Sequence, residues 1–406
     1  MSSARRLRAA AARWPPKELY DMANADEVVI VDAVRTPFGR RNGALSSLHA
    51  IDLLGLAQRA LFNRTGLDPQ IIGQVIGGCV GQVGMQSSNI TRTAWLAAGL
   101  PLEIPATTLD TQCGSGQQAT NLAYSLIASG VVDAAVACGV EVMSRVPLGA
   151  TTPKDPDAGK PINRTYWKHY EVTNQFEGAE RIADKWGITR QDADEFGKRS
   201  QDRAALAWDE RRFDSQIIPV EVADSGRHVR DEGLRATTLE GLASLKPTGR
   251  TAGVHTAGTS SQIADGAAAV LLMTRATAEQ LGLDPLATII DANLVGCDPV
   301  LMLEGPIPAT EKLLTRNSLA MSDIDVVEIN EAFASVVLAW ERKLKPDMDR
   351  VNPNGGAIAM GHPLGATGAA LLTKAAHELA RTDGTHALVT MCCGGGLGTG
   401  TLLRRG

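Results

Sequence analysis

Cysteine is scarce in this chain: six residues in 406, at positions 79, 113, 138, 297, 392 and 393, with no Cys-x-x-Cys pair. So few thiols in so long a chain exclude a disulfide scaffold and point to a reducing compartment, the cytoplasm. The seven histidines are scattered, and none stands at ligand spacing from a cysteine, so no metal is expected. No apolar run approaches the roughly 18 residues of a membrane span, and the apolar segment of a secretory signal is missing. A net charge of −5 gives no overall attraction to nucleic acid. The glycine-rich stretch from Gly355 to Gly368 lacks Gly-Lys-Ser/Thr and is not a phosphate loop. Gly396-x-Gly398 lacks the third glycine of a dinucleotide fingerprint. What is there is apolar content of 44% and 41 glycines gathered in motifs, in a chain long enough for two or three domains.

Met1 to Arg13 holds four arginines, five alanines and two serines without an acid, a composition like a transit peptide. Trp14-Pro15-Pro16, Glu18 and Asp21 interrupt it, and residues 1–26 are expected to be a disordered extension. From Val28 onward, apolar strand-like runs alternate with helical spacing, which predicts an α/β fold on a mostly buried sheet. Strands are expected over Val28–Val31, Val75–Val80, Ala106–Asp110, Val131–Cys138, Gly266–Met273, Val326–Ile329 and His386–Met391. Helices are expected over Ile51–Phe62, Asn89–Ala98 and Gly116–Ala128, the last with Leu122 and Leu126 on one face. Residues 146–176 break this rhythm and read as a long loop or cover. Beyond them, Glu177–Trp186 and Thr189–Phe213 look helical, with Thr189 and Asp192 forming a capping-box pattern. The expected division is 27–285 and 286–406, two similar halves, with a largely helical insertion at about 146–260 in the first. Each half is expected to have a central strand that delivers a cysteine.

Three motifs carry chemistry. Thr111-Gln112-Cys113-Gly114-Ser115-Gly116 follows a strand and enters a helix. A lone cysteine is more often a buried core thiol, but this one precedes a helix N-terminus, where free N–H groups and the dipole favour a thiolate. Met360-Gly361-His362-Pro363 places an imidazole on a glycine-lined loop, able to take a thiol proton or to donate to a thioester oxygen. Met391-Cys392-Cys393-Gly394-Gly395-Gly396 follows a strand; its glycine N–H groups suit an oxyanion hole. In extended backbone Cys392 and Cys393 point to opposite sides, so one of them faces the site. Asn330, at a strand end, could polarise a carbonyl, although alone it reads as a helix N-cap. Two thiols and an imidazole on glycine turns suit acyl transfer through a thioester. Cys79 and Cys138 read as core.

Together these segments resemble the thiolase family over nearly the whole chain. The markers are Val34 to Gly39, Gln112 to Gly116, Thr256 to Ser261, Asn330 to Phe333, Gly355 to Pro363 and Cys392 to Gly396. The resemblance implies a five-layered αβαβα fold with an inserted loop domain that binds coenzyme A (CoA). It implies that Cys113 is the acylated nucleophile, activated by His362, and that Cys392 is the second acid and base. Asn330 would hold a water that, with His362, forms one oxyanion hole; the N–H groups of Cys113 and Gly394 would form another. Ser261 and Ala257 would line the CoA channel, Ala332 and Phe333 would flank the pantetheine, and Arg235 would meet a phosphate. CoA is then a co-substrate, no cofactor is permanently bound, and a homodimer or homotetramer is implied. A narrower likeness, in Ser87 to Ile90, Gly114 to Ala119, Asn174 to Arg181 and Pro346 to Arg350, is to actinobacterial thiolases that shorten the side chain of steroid CoA esters.

Overall fold

The computed structural model describes residues 27–223 and 225–406; the expected extension over 1–26 lies outside them. In chain order the first part runs β1 (Val28–Arg35), β2 (Gly39–Arg40), α1 (Ala50–Thr65), β3 (Gln74–Gly78), α2 (Ile90–Ala97), β4 (Ala106–Leu109), α3 (Ser115–Ala128) and β5 (Ala134–Val142). There follow α4 (Gln175–Trp186), α5 (Arg190–Asp209), β6 (Val220–Val222), β7 (Gly226–His228), α6 (Leu239–Ala243), β8 (Ala264–Thr274) and α7 (Arg275–Gln280). The remainder is β9 (Ala287–Gly296), α8 (Pro306–Arg316), β10 (Val326–Ile329), α9 (Ala334–Leu344), α10 (Ala357–Met360), α11 (Leu364–Thr382), β11 (His386–Cys393) and β12 (Leu397–Arg405).

The strands form one path, β10-β11-β12-β9-β1-β8-β5-β3-β4, in which Val28–Ile30 of β1 pair with Ala287–Ile289 of β9. That junction joins two half-sheets of one design. In the first, β4, β3 and β5 are parallel and β8 and β1 antiparallel. In the second, β10 and β11 are parallel and β12 and β9 antiparallel, with Val351 bridging Val327 in the place of β4. Helices α3 and α11 pack on each other and on strands of both half-sheets, so they form a middle layer. Helix α1 covers the outer side of the first half-sheet and α8 that of the second, giving the five αβαβα layers.

The repeat also changes one expectation. Helix α3 leads from β4 to β5, and α11 leads from the Val351 segment to β11. The counterpart of the Cys113 turn is therefore the His362 turn, not a second cysteine. Cys392 instead sits at the end of the strand that matches β5.

The middle layer is tight. Every residue of α11 from Leu364 to Leu379 is buried, as a helix covered on all sides must be. Its small residues permit this: a Cβ on Gly368 would lie 2.1 Å from the Gln117 nitrogen of α3. The expected Leu122–Leu126 face is not the buried one: Leu122 is exposed and Leu126 only partly buried, while Gly116, Ala119, Thr120, Ala123 and Ile127 are buried. The ion pair of Lys374 with Glu328, at 2.7 Å, is also buried in this layer, and Lys374 donates to the Gly355 carbonyl at 2.6 Å.

Residues 146–174 are irregular, with short 3-10 turns at Pro156–Ala158 and Tyr166–Lys168. Trp167 and Tyr170 are exposed there. Regular helix in the expected insertion is confined to α4, α5 and the short α6, less than its sequence implied. The capping box at Thr189 and Asp192 is present, with Thr189 N bonded to Asp192 at 2.9 Å.

Candidate active site

Three turns converge at the carboxyl ends of the parallel strands, where open α/β sheets bind ligands. Cys113 lies between β4 and α3. Its turn is closed by Ser115, whose Oγ donates to the Gln112 carbonyl at 2.6 Å and accepts from Thr111 N at 2.9 Å. Gln112 itself is held at φ 51°. His362 follows α10 through Gly361, whose φ of 104° favours glycine. Gly116, three residues after Cys113, and Gly365, three residues after His362, meet directly: a Cβ on Gly116 would lie 2.6 Å from the Gly365 carbonyl oxygen.

The His362 loop is fastened by buried polar groups. His362 N donates to the Gln262 carbonyl at 2.9 Å, and Gln262 Nε2 donates to the Ile358 carbonyl at 2.8 Å. The Glu331 carboxylate accepts from Ile358 N at 3.1 Å, from Ser200 Oγ at 2.6 Å and from Asn352 Nδ2 at 2.8 Å. Its neighbour Asn330 is fully buried, with Nδ2 3.3 Å from His362 Nε2. Asn330 caps no helix, since α9 starts at Ala334 after an N-cap at Phe333. On the other ring nitrogen, His362 Nδ1 stands 2.7 Å from Thr367 Oγ1.

The third turn carries the thiol pair at the end of β11. Both are buried, and the alternation of the strand separates them. Cys392 belongs to an apolar cluster with Leu303, Ala332 and Phe333. Cys393 faces α3, where a Cβ on Gly114 would lie 2.5 Å from its sulfur. Both Cys392 and Cys393 are raised by burial first and by Cys113 second, so both lie within electrostatic reach of Cys113.

The electrostatics differ from the sequence expectation at one point. Burial pushes the Cys113 thiol up to about 11, and the carboxylates of Glu141 and Asp110 add to the rise. The N–H groups of Gly394 and of Cys113 itself both act on the sulfur and pull the other way, but they do not offset burial. The helix N-terminus thus fails to yield a resting thiolate. Burial also holds His362 down, to about 4, so at neutral pH the imidazole is uncharged and able to accept a proton. Cys392 is raised well above the ordinary thiol range, by burial first and by Cys113 second. The expected thiolate is thus replaced by a protonated thiol, and the imidazole is uncharged.

Two cavities open beside this centre. One, of about 270 Å³, is lined by Arg235, Thr238, Leu242, Leu245, Ala257 and Ile358 among others. Of the expected CoA contacts it brings together Arg235 and Ala257. Ser261, Ala332 and Phe333 do not line it: Ser261, next to the lining Gln262, donates its N–H to the Ala332 carbonyl at 2.9 Å, and Phe333 stacks edge-on with His255 and Phe176. Leu242, Leu245 and Thr238 were missed from sequence; the signal was Thr238-Leu239-Glu240-Gly241, where Thr238 caps α6 by accepting from Gly241 N at 3.1 Å. The second is a narrow crevice of about 30 Å³ at the ends of β3 and β5, lined by Val80, Met143, Val146, Leu148 and Leu364 with Glu141 at its base. Glu141 accepts from Val80 N, Gly81 N and Gly365 N at 2.9 to 3.0 Å and so ties β3 to the start of α11. A more open cleft of about 700 Å³ between α5 and α9 holds none of the candidate residues. Among the described residues, no group of three His, Cys, Asp or Glu side chains could hold a metal ion. No described helix is long and apolar enough to cross a membrane.

Comparison with known proteins decides the family. The thiolase N-terminal domain matches residues 28–276 and the thiolase C-terminal domain residues 283–405. The chain belongs to the thiolase family. It is similar to the steroid 3-ketoacyl-CoA thiolase FadA6 of Mycobacterium tuberculosis, 46% identical over 93% of this chain and 94% of that protein. It is also similar to a β-ketoadipyl-CoA thiolase of Pseudomonas aeruginosa, 40% identical over 93% and 99%. Among solved structures, the acetyl-CoA acetyltransferase of Bacillus anthracis superposes with a TM-score of 0.87 at 36% identity, covering 94% of this chain and 99% of that one. As a thiolase, the chain is an acyltransferase that uses CoA and transfers acyl groups thiolytically through a cysteine, with no permanently bound cofactor.

Proposed function

We propose that this thiolase is a degradative 3-oxoacyl-CoA thiolase acting on a bulky apolar acyl chain, of which the steroid side chain is the leading case. What supports the reaction is that the turns carrying Cys113 and His362 abut through Gly116 and Gly365, that the Gly394 N–H acts on the Cys113 sulfur, and that Asn330 lies against His362. In this reading Cys113 attacks the 3-keto carbon while His362 Nε2 takes its proton. The carbonyl oxygen, now negative, is received at one of two donor sets: the Gly394 and Cys113 N–H groups, or His362 with a water held by Asn330. The bond between C2 and C3 breaks, and Cys392 protonates the departing acetyl-CoA carbon. Cys392 then takes the proton of incoming CoA, whose sulfur displaces the shortened acyl group from Cys113. Arg235 and Ala257 stand where the CoA would lie. The division into halves at 27–285 and 286–406, with an insertion at about 146–260, belongs to the same proposal, as does a homodimer or homotetramer.

The substrate preference rests on the likeness to the steroid 3-ketoacyl-CoA thiolase. The crevice beside Leu364 is lined by valine, leucine and methionine with one carboxylate, but at about 30 Å³ it has room for little more than a water and does not select an acyl chain as it stands. An acyl chain ending in a free carboxylate, such as β-ketoadipyl, is a second reading. That second reading is favoured by the number of β-ketoadipyl-CoA thiolases among the relatives, so the two are tested together. Purified enzyme is assayed for thiolysis of acetoacetyl-CoA, β-ketoadipyl-CoA and a steroid side-chain 3-oxoacyl-CoA, with Cys113→Ala as control. The proposal predicts the highest kcat/KM on the steroid ester and none in the control. A higher value on β-ketoadipyl-CoA overturns the substrate class and leaves the chemistry standing.

A further inference from the structure

Thr367 stands on the first turn of α11, five residues after His362, with its hydroxyl between two acceptors. Its Oγ1 donates to the Pro363 carbonyl at 2.9 Å, the usual helical back-bond of a threonine to the residue four before it. The same oxygen is 2.7 Å from His362 Nδ1. A hydroxyl has one proton and two lone pairs. With the proton given to Pro363, the oxygen meets Nδ1 with a lone pair, and Nδ1 must carry hydrogen. Nε2 then holds a lone pair. On the far side of the ring, the Asn330 side-chain amide lies 3.3 Å from Nε2, with its oxygen buried and without a partner. Both Thr367 and His362 are buried, so no bulk water competes for either contact.

We propose that Thr367 is a positioning residue that fixes His362 in the tautomer protonated at Nδ1, so that Nε2 is the base for Cys113. The inference rests on His362 being that base. It assigns to Thr367 the part that a carboxylate plays in other nucleophile-base pairs, where the partner of the base sets its tautomer and orientation. A hydroxyl differs from a carboxylate in adding no charge, so the imidazole stays uncharged in this buried site.

The test uses Thr367→Val, which keeps shape and removes the hydroxyl, and Thr367→Ser, which keeps the hydroxyl. In the valine variant Pro363 O retains the Thr367-position N–H at 3.0 Å, so the helix turn is not deprived of its bond. The expected result is a fall in kcat of about 10- to 100-fold, the range of a weakened general base, with KM little changed. Alkylation of Cys113 by iodoacetamide should slow alongside kcat, and Thr367→Ser should restore both to within about threefold, well inside that range. Equal kcat and alkylation rates in wild type and Thr367→Val overturn the proposal, as does a loss that appears in KM alone. Nitrogen-15 NMR of histidine-labelled wild-type enzyme reads the tautomer even if the valine variant does not fold: hydrogen on Nδ1 of His362 is expected, and hydrogen on Nε2 overturns it. The alkylation and NMR arms need no substrate. Failure of thiolysis by the wild type would therefore strike the proposed function and leave these two arms to judge Thr367.

Discussion

Gly139→Ala should disable the enzyme through a single methyl group placed between β5 and α11. Gly139 lies on β5, where α11 crosses it. A Cβ there would lie 2.0 Å from the Gly365 carbonyl oxygen and 3.2 Å from the Ala366 Cα. Real Cβ atoms stay about 3.0 Å from such neighbours, so the helix or the strand must yield by about 1 Å, and both obstacles are backbone. Neither is free to move. Gly365 N is held by Glu141 at 3.0 Å, and the Gly365 Cα is wedged so that its own Cβ would lie 2.4 Å from the Val140 carbonyl oxygen. On the other side Gly116 of α3 rests on the Gly365 carbonyl. A displacement of α11 thus carries His362, three residues away, relative to Cys113. Overpacking of this kind costs about 1–3 kcal/mol of stability, and misplacing a catalytic group by about 1 Å costs on the order of 100-fold in rate. Urea unfolding measures the first and steady-state thiolysis the second. A stable Gly139→Ala enzyme with wild-type kcat would refute the claim that this crossing sets the distance between thiol and imidazole; a destabilised one with wild-type kcat would refute the coupling alone.

Other consequences are separable. Arg35 is buried in a two-bond pair with Asp231, at 2.8 and 3.0 Å, between the rings of Phe38 and Phe213. Arg35→Met strands the Asp231 carboxylate and should cost about 3–5 kcal/mol in urea unfolding, much of it recovered by adding Asp231→Asn. His362 and His255 are both held down to about 4 by burial. Between the unfolded value near 6.5 and the folded value near 4, the unfolded chain binds the protons that the folded one refuses. Stability should therefore fall as pH drops through that window, by roughly 1.4 kcal/mol per pH unit for each histidine, and stay flat from pH 7 upward with respect to these two groups. A transition temperature equal at pH 4.5 and pH 7 would contradict it. Leu245→Trp, filling part of the 270 Å³ cavity, should raise the KM for CoA by roughly tenfold, about 1.4 kcal/mol, and leave acylation of Cys113 unchanged; an unchanged KM would show that CoA does not lie there.

The strands that were legible carry apolar runs, and Val326–Ile329 was located to the residue; β9 and β12, interrupted by polar residues and glycine, were not read. On the outer layers α1 was legible from its one-sided apolar spacing, while α8 was not read. In the middle layer α3 was located to within a residue but its buried face was not, and α11 was not read: residues chosen for small size weaken the periodic signal, which made Leu122 a misleading marker. The three candidate residues stood out by their glycine context, since a backbone that approaches another backbone leaves room for nothing else. Their supports could not. Thr367, Glu331 and Glu141 act across 5 to over 200 positions of sequence, and only the folded chain shows what they hold. The protonation of Cys113 was misjudged for a related reason. A helix N-terminus can be read from local sequence, whereas the burial that outweighs it is made by residues distant in the chain.

The most direct test of the account is mass analysis of the enzyme after mixing with a 3-oxoacyl-CoA in the absence of free CoA. The account predicts one acyl group on the peptide that contains Cys113, retained until CoA is added and then released as acyl-CoA. An adduct on Cys392 or Cys393, or turnover with no adduct and no effect of Cys113→Ala, would contradict it.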